Sequence, residues 1–531
     1  MTRTQSPPAA KAPVPPGPRA PRSARPERRG PTGPTTSLKP LAPAGFGFDQ
    51  ARHLLWRAGF GGTPEQIQAL VSWGLEKSVD HLLGYGAVPY DEPSPAGFDK
   101  DLIRPPTDEE RALAARARRA NDEETLARLR ARRQTAEQDD RRQMRRVQHW
   151  WVTRMIESPR PLEEKLTLFW HGHLATSYRT IENSYHMYRQ NLLFRAHAAG
   201  NFGALLFQII RDPAMLAYLD QNDSRRTRPN ENLARELMEL FALGVGNYTE
   251  QDIKEGARAL TGYTFQDDEF VFQEQNHDPG AKQILGKRGN LDGDGFVTAI
   301  LEHRACAPYI TGKLYRFFVA DVPGEQEDLD RAGKAVIREL AGTLLRSKYE
   351  LRPVLRRLFL SEHFYDPRIM SQQIKSPAEL VVGAVRSLGT PVREIGVLAD
   401  AMNLMGQNLF FPPSVAGWHG GRSWINTSTM FVRQNILCFL LTGKLPVGYD
   451  ALAGTEKYDP RPLLSELEKA GAARDPDAVI DYLVRLTLGG ASSEQNREVL
   501  RAFAREHGEL TGDVLTGLLL LITAMPEYQL C

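Results

Sequence analysis

Apolar residues recur at helical spacing along most of this chain, and strand-like alternation is confined to one short region. Leu233, Leu237, Leu240 and Phe241 mark one buried face, and Ile253, Ala257 and Leu260 mark another. Between them Gly244 and Gly246 supply the positive φ that ends a helix. The stretch 229–265 therefore predicts helix, turn, helix. Asn230 is placed to cap the first helix, and Thr249 with Asp252 resembles a capping box for the second.

The same texture runs through the rest of the chain. Residues 50–83 predict three helices, the second opened by Thr63 at the N-cap, Pro64 at the first position and Gln66 three residues on. Residues 107–157 are rich in Arg, Glu and Ala and predict one long charged helix with many i,i+4 pairs. Leu162, Leu166 and Phe169 carry a further helix into His171-Gly172-His173. Amphipathic patterns follow at 330–363, 376–409, 427–440 and 460–531.

Two regions break the pattern. Residues 263–296 hold the β-forming run Phe270-Val271-Phe272 and Gly/Asp-rich turns, which predicts a small hairpin insertion. The stretch 410–424 is rich in Pro, Gly and Trp and cannot form a regular element. The expected fold class is mainly α, one large multi-helix unit over 46–531. Residues 1–45 are rich in Pro, Ala, Arg and Ser with few large apolar side chains, and predict a disordered tail.

Composition narrows the function classes without choosing one. The 531 residues are 41% hydrophobic and 25% charged, an ordinary globular balance. A formal net charge of +2 gives no overall electrostatic case for nucleic acid. Three widely spaced cysteines, Cys306, Cys438 and Cys531, form no disulfide framework and no CxxC metal site. No apolar run reaches membrane-spanning length. The N-terminus has arginines but no apolar core of a secretory signal, which points to the cytoplasm.

Candidate chemistry gathers on the first central helix. At about 100° per residue, Asn232, Glu236 and Glu239 fall on one stripe beside the apolar arc, and Arg235 can pair with Glu231 or Glu239. An enzyme built here would be a metal-dependent or acid/base hydrolase. Glu236, Glu239, His277 and Asp278 would be its catalytic groups, and His171, His173 and Glu236 would hold a divalent metal that lowers the pKa of bound water. On a continuous helix the two histidines lie about 200° apart, so they converge only if Gly172 breaks it. No HExxH, GxSxG, P-loop or Rossmann fingerprint is present. Asn290, Asp292, Asp294 and Gly295 copy the start of a calcium loop, but Leu301 stands where the bidentate Glu belongs, so this is no standard EF-hand. The other reading is a non-catalytic helical assembly or partner-binding protein, with the Asn/Glu/Arg motif as a buried network that fixes helix register.

Ordered motifs then identify a family resemblance. HLLWRAGFG (53–61), LTLFWHGHLATS (166–177), DPAMLAYLD (212–220), PNENLARELMELFALGVGNYTEQDI (229–253), HDPGAKQILG (277–286), ITGKLYRFFVAD (310–321) and PPSVAGWHGGRSWINTSTM (412–430) resemble the bacterial domain of unknown function 1800 family. The chain departs from the family pattern at Gly172, Tyr263, Cys306 and His419. The resemblance implies one large α-helical unit with no established activity. It also implies a protein partner encoded nearby, and export for many relatives, which leaves export open here.

Overall fold

Side-chain chemistry a few residues long starts many of the helices. Thr63 Oγ1 accepts from Gln66 N at 3.3 Å while Gln66 Oε1 accepts from Thr63 N at 3.0 Å, and Pro64 opens helix Pro64–Trp73. Thr249 and Asp252 form the same reciprocal pair at the start of helix Glu250–Ala259, Asp standing in for the usual Glu. The structure is a computed structural model that describes residues 33–320, 331–444 and 456–531. Those residues hold 23 α-helices and only two small antiparallel hairpins, so the fold class is mainly α. No helix among them is long and apolar enough to cross a membrane.

The β insertion is two hairpins where the sequence predicted one. Strands β1 (Tyr263–Gln266) and β2 (Glu269–Phe272) pair across Asp267 and Asp268, both at positive φ. Strands β3 (Lys282–Ile284) and β4 (Lys287–Gly289) pair across Leu285 and Gly286, at φ of 49° and 86°. Positive φ at both turn residues gives the twist that a two-residue hairpin loop requires. The following acidic loop is a helix start: Asp292 Oδ1 accepts from Gly295 N at 2.9 Å and caps helix Gly293–Glu302.

Two expectations need correction. The long charged segment is two helices, Asp108–Ala120 and Glu123–Glu157. Asn121 sits in the left-handed region at φ 52°, and the carboxylate of Asp122 caps Thr125 N at 3.0 Å, so the chain reverses between them. The two helices pack on each other, and Arg132 reaches Glu110 at 3.0 Å across the pair. The expected tail also does not reach residue 45. Residues 1–32 lie outside the described residues, but Leu38 is buried and Pro40 bridges Ser361. Leu41 N donates to Leu360 O, Glu362 N to Lys39 O and His363 N to Ser37 O. This segment lies along 360–363 through backbone hydrogen bonds, which need no apolar side-chain pattern to form.

Buried charge ties distant helices together. Glu164 is fully buried on helix Pro161–His173 and accepts from Arg154 Nε at 3.0 Å, from Arg195 Nε at 2.9 Å and Nη2 at 3.0 Å, and from Trp151 Nε1 at 3.0 Å. The next residue, Lys165, pairs with the buried Glu379 of helix Pro377–Leu388, with Arg57 at 4.0 Å from the same carboxylate. Beside them Lys375 donates to Tyr528 O at 2.7 Å, with its ammonium over the rings of Trp56 and Tyr528.

Burial pushes the Lys375 ammonium down to about 7, and the Arg52 and Arg433 guanidiniums add to the effect. Folded Lys375 therefore gives up its proton well below the pH at which the unfolded side chain does. Above pH 7 the unfolded chain binds more protons, so this residue makes stability rise with pH, by up to about 1.4 kcal/mol per unit. Lys375→Met keeps the packing between the two rings and removes that titration. Urea midpoints between pH 7 and pH 9 are expected to climb more steeply for the natural protein than for the variant. Parallel slopes would show that Lys375 stays charged in its cation–π sandwich.

Candidate functional site

The central helix starts at Asn232 and is held from one turn earlier. Asn230 Oδ1 accepts from Asn232 N at 2.9 Å, and its Nδ2 donates to Asp220 O at 2.9 Å. From Leu237 to Ala242 the helix widens into a π turn, a register that residue spacing does not encode. Two carbonyls of this turn are taken by side chains from elsewhere. Tyr309 Oη donates to Leu240 O at 2.7 Å, and His173 Nε2 lies 2.9 Å from Phe241 O as the donor. Gly244 then ends the element at φ 81°, and a Cβ there would lie 2.9 Å from the Tyr309 ring.

The polar stripe lies at the surface. Asn232 is exposed, and Arg235 bridges Glu231 at 3.1 Å and Glu250 at 3.0 Å with all three partly exposed. The expected buried Asn/Glu/Arg network is thus a surface arrangement here, while buried networks form on Glu164 and Glu379. Glu239 accepts from Tyr248 Oη at 2.6 Å. Glu236 is half-buried, and its carboxyl is raised by burial and by the nearby Glu239 charge. It makes no hydrogen bond or ion pair among the described residues.

Helix Pro161–His173 runs unbroken through Gly172, so the two histidines face different surroundings. His171 is buried against Trp151, Phe194 and Phe410, with Asn191 Nδ2 at 3.0 Å from its Nε2. His173 stacks on Phe169 and meets Phe241 and Tyr309. Burial and the Lys313 ammonium push the His173 imidazole down to about 3, so it is neutral and serves as a hydrogen-bond donor. Gly172 lies against Trp418, and Gly417 approaches so closely that a Cβ there would sit 1.9 Å from Gly172 O.

His277 and Asp278 lie at the end of helix Glu250–Ala259. His277 Nδ1 is 2.9 Å from Thr261 O. Asp278 accepts from Arg258 Nε at 2.7 Å, and that hydrogen bond holds its carboxyl down to about 2. Asp278 is an anchor for Arg258 with its proton already lost, which removes it as an acid near neutral pH. No group of three or more His, Cys, Asp or Glu that could hold a metal occurs among the described residues. The proposed set of His171, His173 and Glu236 fails on direction: each imidazole has its own partner on its own side of the helix.

One open groove of about 880 Å³ adjoins the central stretch. Its walls are helix Glu250–Ala259 with the turn before it, the β3–β4 hairpin and the turn at His303 and Arg304. The groove was not legible in sequence, because its walls are 246–258, 281–289 and 303–304, three segments joined only by folding.

The fold and these motifs define a large helical protein whose singled-out polar residues are mostly engaged in its own framework. The family model described as a protein of unknown function, DUF1800, matches residues 53–530, and the chain belongs to that family. No curated protein and no solved structure matches it.

Proposed function

We propose that this chain is a non-catalytic helical scaffold that binds a protein partner. The observation that supports this reading most is the division of His171 and His173 between two separate contact sets, Asn191 on one side and Phe241 O on the other. A hydrolase of the kind expected from the sequence needs them to converge with Glu236. Asp278 and Glu239 are likewise engaged, with Arg258 and Tyr248. Helix Asp108–Ala120 and the first half of helix Glu123–Glu157, before Asp140, add a largely exposed, charged surface of the kind that a partner can contact.

Elemental analysis of protein purified without an affinity tag tests the proposal against its alternative. Neither the natural chain nor Glu236→Ala is expected to carry stoichiometric metal, and their stabilities should agree within about 0.5 kcal/mol by urea unfolding. Stoichiometric metal in the natural protein that disappears in a folded Glu236→Ala variant would overturn the scaffold reading.

A further inference from the structure

We infer that the groove between helix Glu250–Ala259 and the β3–β4 hairpin is the docking site for an extended acidic segment of the protein partner. The inference rests on the partner-binding reading and adds where the partner sits and what chemistry it carries.

The charges of the groove are unevenly engaged. Both carboxylates on its helical wall are taken up within the fold. Asp252 accepts from Thr249 N at 2.9 Å and from Leu285 N at 2.7 Å, which also pins the hairpin to the helix. Glu255 accepts from Arg258 Nη1 at 2.7 Å and from Gln251 Nε2 at 2.9 Å. The buried Lys282 donates to the carbonyls of Asp278 and Gly280.

Arg288 on the hairpin and Arg304 on the turn after helix Gly293–Glu302 both line the groove and are exposed, and no carboxylate among the described residues pairs with either. Arg288 donates through Nε to Gln283 Oε1 at 2.7 Å, which orients its guanidinium and leaves both Nη groups available. A guanidinium fork matches a carboxylate in two parallel hydrogen bonds, so two forks lining one groove favour a ligand with more than one carboxylate.

The shape favours a chain over a small anion. Gly246, Gly286 and Gly289 line the groove and present backbone with no side chain in the way. Among the described residues the β3–β4 sheet has only two strands, and the outer edge of β4 pairs with no other strand. An extended peptide can add its backbone hydrogen bonds to such an edge while its acidic side chains reach the arginines.

Fluorescence anisotropy of the full chain with a labelled oligoglutamate peptide in low-salt buffer tests this. The peptide should bind, with affinity falling as salt is added, and the Arg288→Glu/Arg304→Glu double variant should bind at least about tenfold more weakly. The milder Arg288→Gln/Arg304→Gln pair should lie between them. Both arginines are exposed and form no ion pair among the described residues, so thermal unfolding should be unchanged in either variant. No binding by the natural chain overturns the proposal, as does equal affinity in the charge-reversed variant. Full displacement of the peptide by inorganic phosphate at matched charge also overturns it, in favour of a simple anion pocket. Any of these results leaves the scaffold reading standing, whereas metal bound through Glu236 would overturn that reading and leave the groove result intact.

Discussion

Replacing Glu164 with Gln is expected to destabilise the protein by about 3–5 kcal/mol, because it leaves buried guanidiniums facing a neutral amide. Arg154 and Arg195 are almost wholly buried, and both reach the Glu164 carboxylate, which also accepts from Trp151. Arg154 keeps a second partner in Glu92 at 3.1 Å, so the loss falls mainly on Arg195. Burial by itself would raise the Glu164 carboxyl, but Arg195 and Arg154 overcome it and hold the group below its ordinary value. The stability it contributes is complete above the pKa of the unfolded carboxyl and is lost as pH falls through the lower folded value. Urea unfolding should therefore show the full gap between natural protein and variant at pH 7, and a narrower gap under acid conditions. A gap that stays constant into acid would mean that the charge of Glu164 contributes little.

Gly417→Ala should be the most damaging single methyl group in the loop 411–420. Gly417 has φ 79°, and the added Cβ would meet Gly172 O at 1.9 Å. That oxygen belongs to a helix backbone and cannot withdraw as a flexible side chain would. Left-handed backbone strain of about 1–2 kcal/mol adds to about 1–3 kcal/mol for displacing the loop. Gly420 is the control. It has φ 75° but no atom within 4 Å of a Cβ, so Gly420→Ala feels the strain alone. The difference between the two variants in thermal unfolding measures the contact with Gly172. Equal losses would show that the loop moves freely off the helix.

Where the structure and the sequence-based expectations part, range is the reason. Thr63 with Gln66 and Thr249 with Asp252 were legible because a cap is written within three residues. The break at Asn121 was hidden in a run of good helix formers, since one left-handed residue has no compositional weight. The π turn at 237–242 was also hidden: the groups that donate to its carbonyls, Tyr309 and His173, lie 69 and 68 residues away in the chain. His173 looked like a ligand because a histidine beside apolar residues has the same sequence signature whether it binds metal or donates to a carbonyl. Tyr309 carried no signal at all.

By itself the sequence determined most of the helices, the caps at Thr63 and Thr249, the site of the β insertion and the family, because these follow from spacing and side-chain type over a few residues. Tertiary structure alone decided which charges are buried and which are free. Glu164 meets Arg154 and Arg195 at 10 and 31 residues' separation, and Lys165 meets Glu379 across 214. No local periodicity constrains such pairings; they are selected by desolvation, which exists only once the helices have packed. The same packing turned the stripe of Asn232, Glu236 and Glu239 toward the surface and left Arg288 and Arg304 in one groove with no carboxylate partner among the described residues.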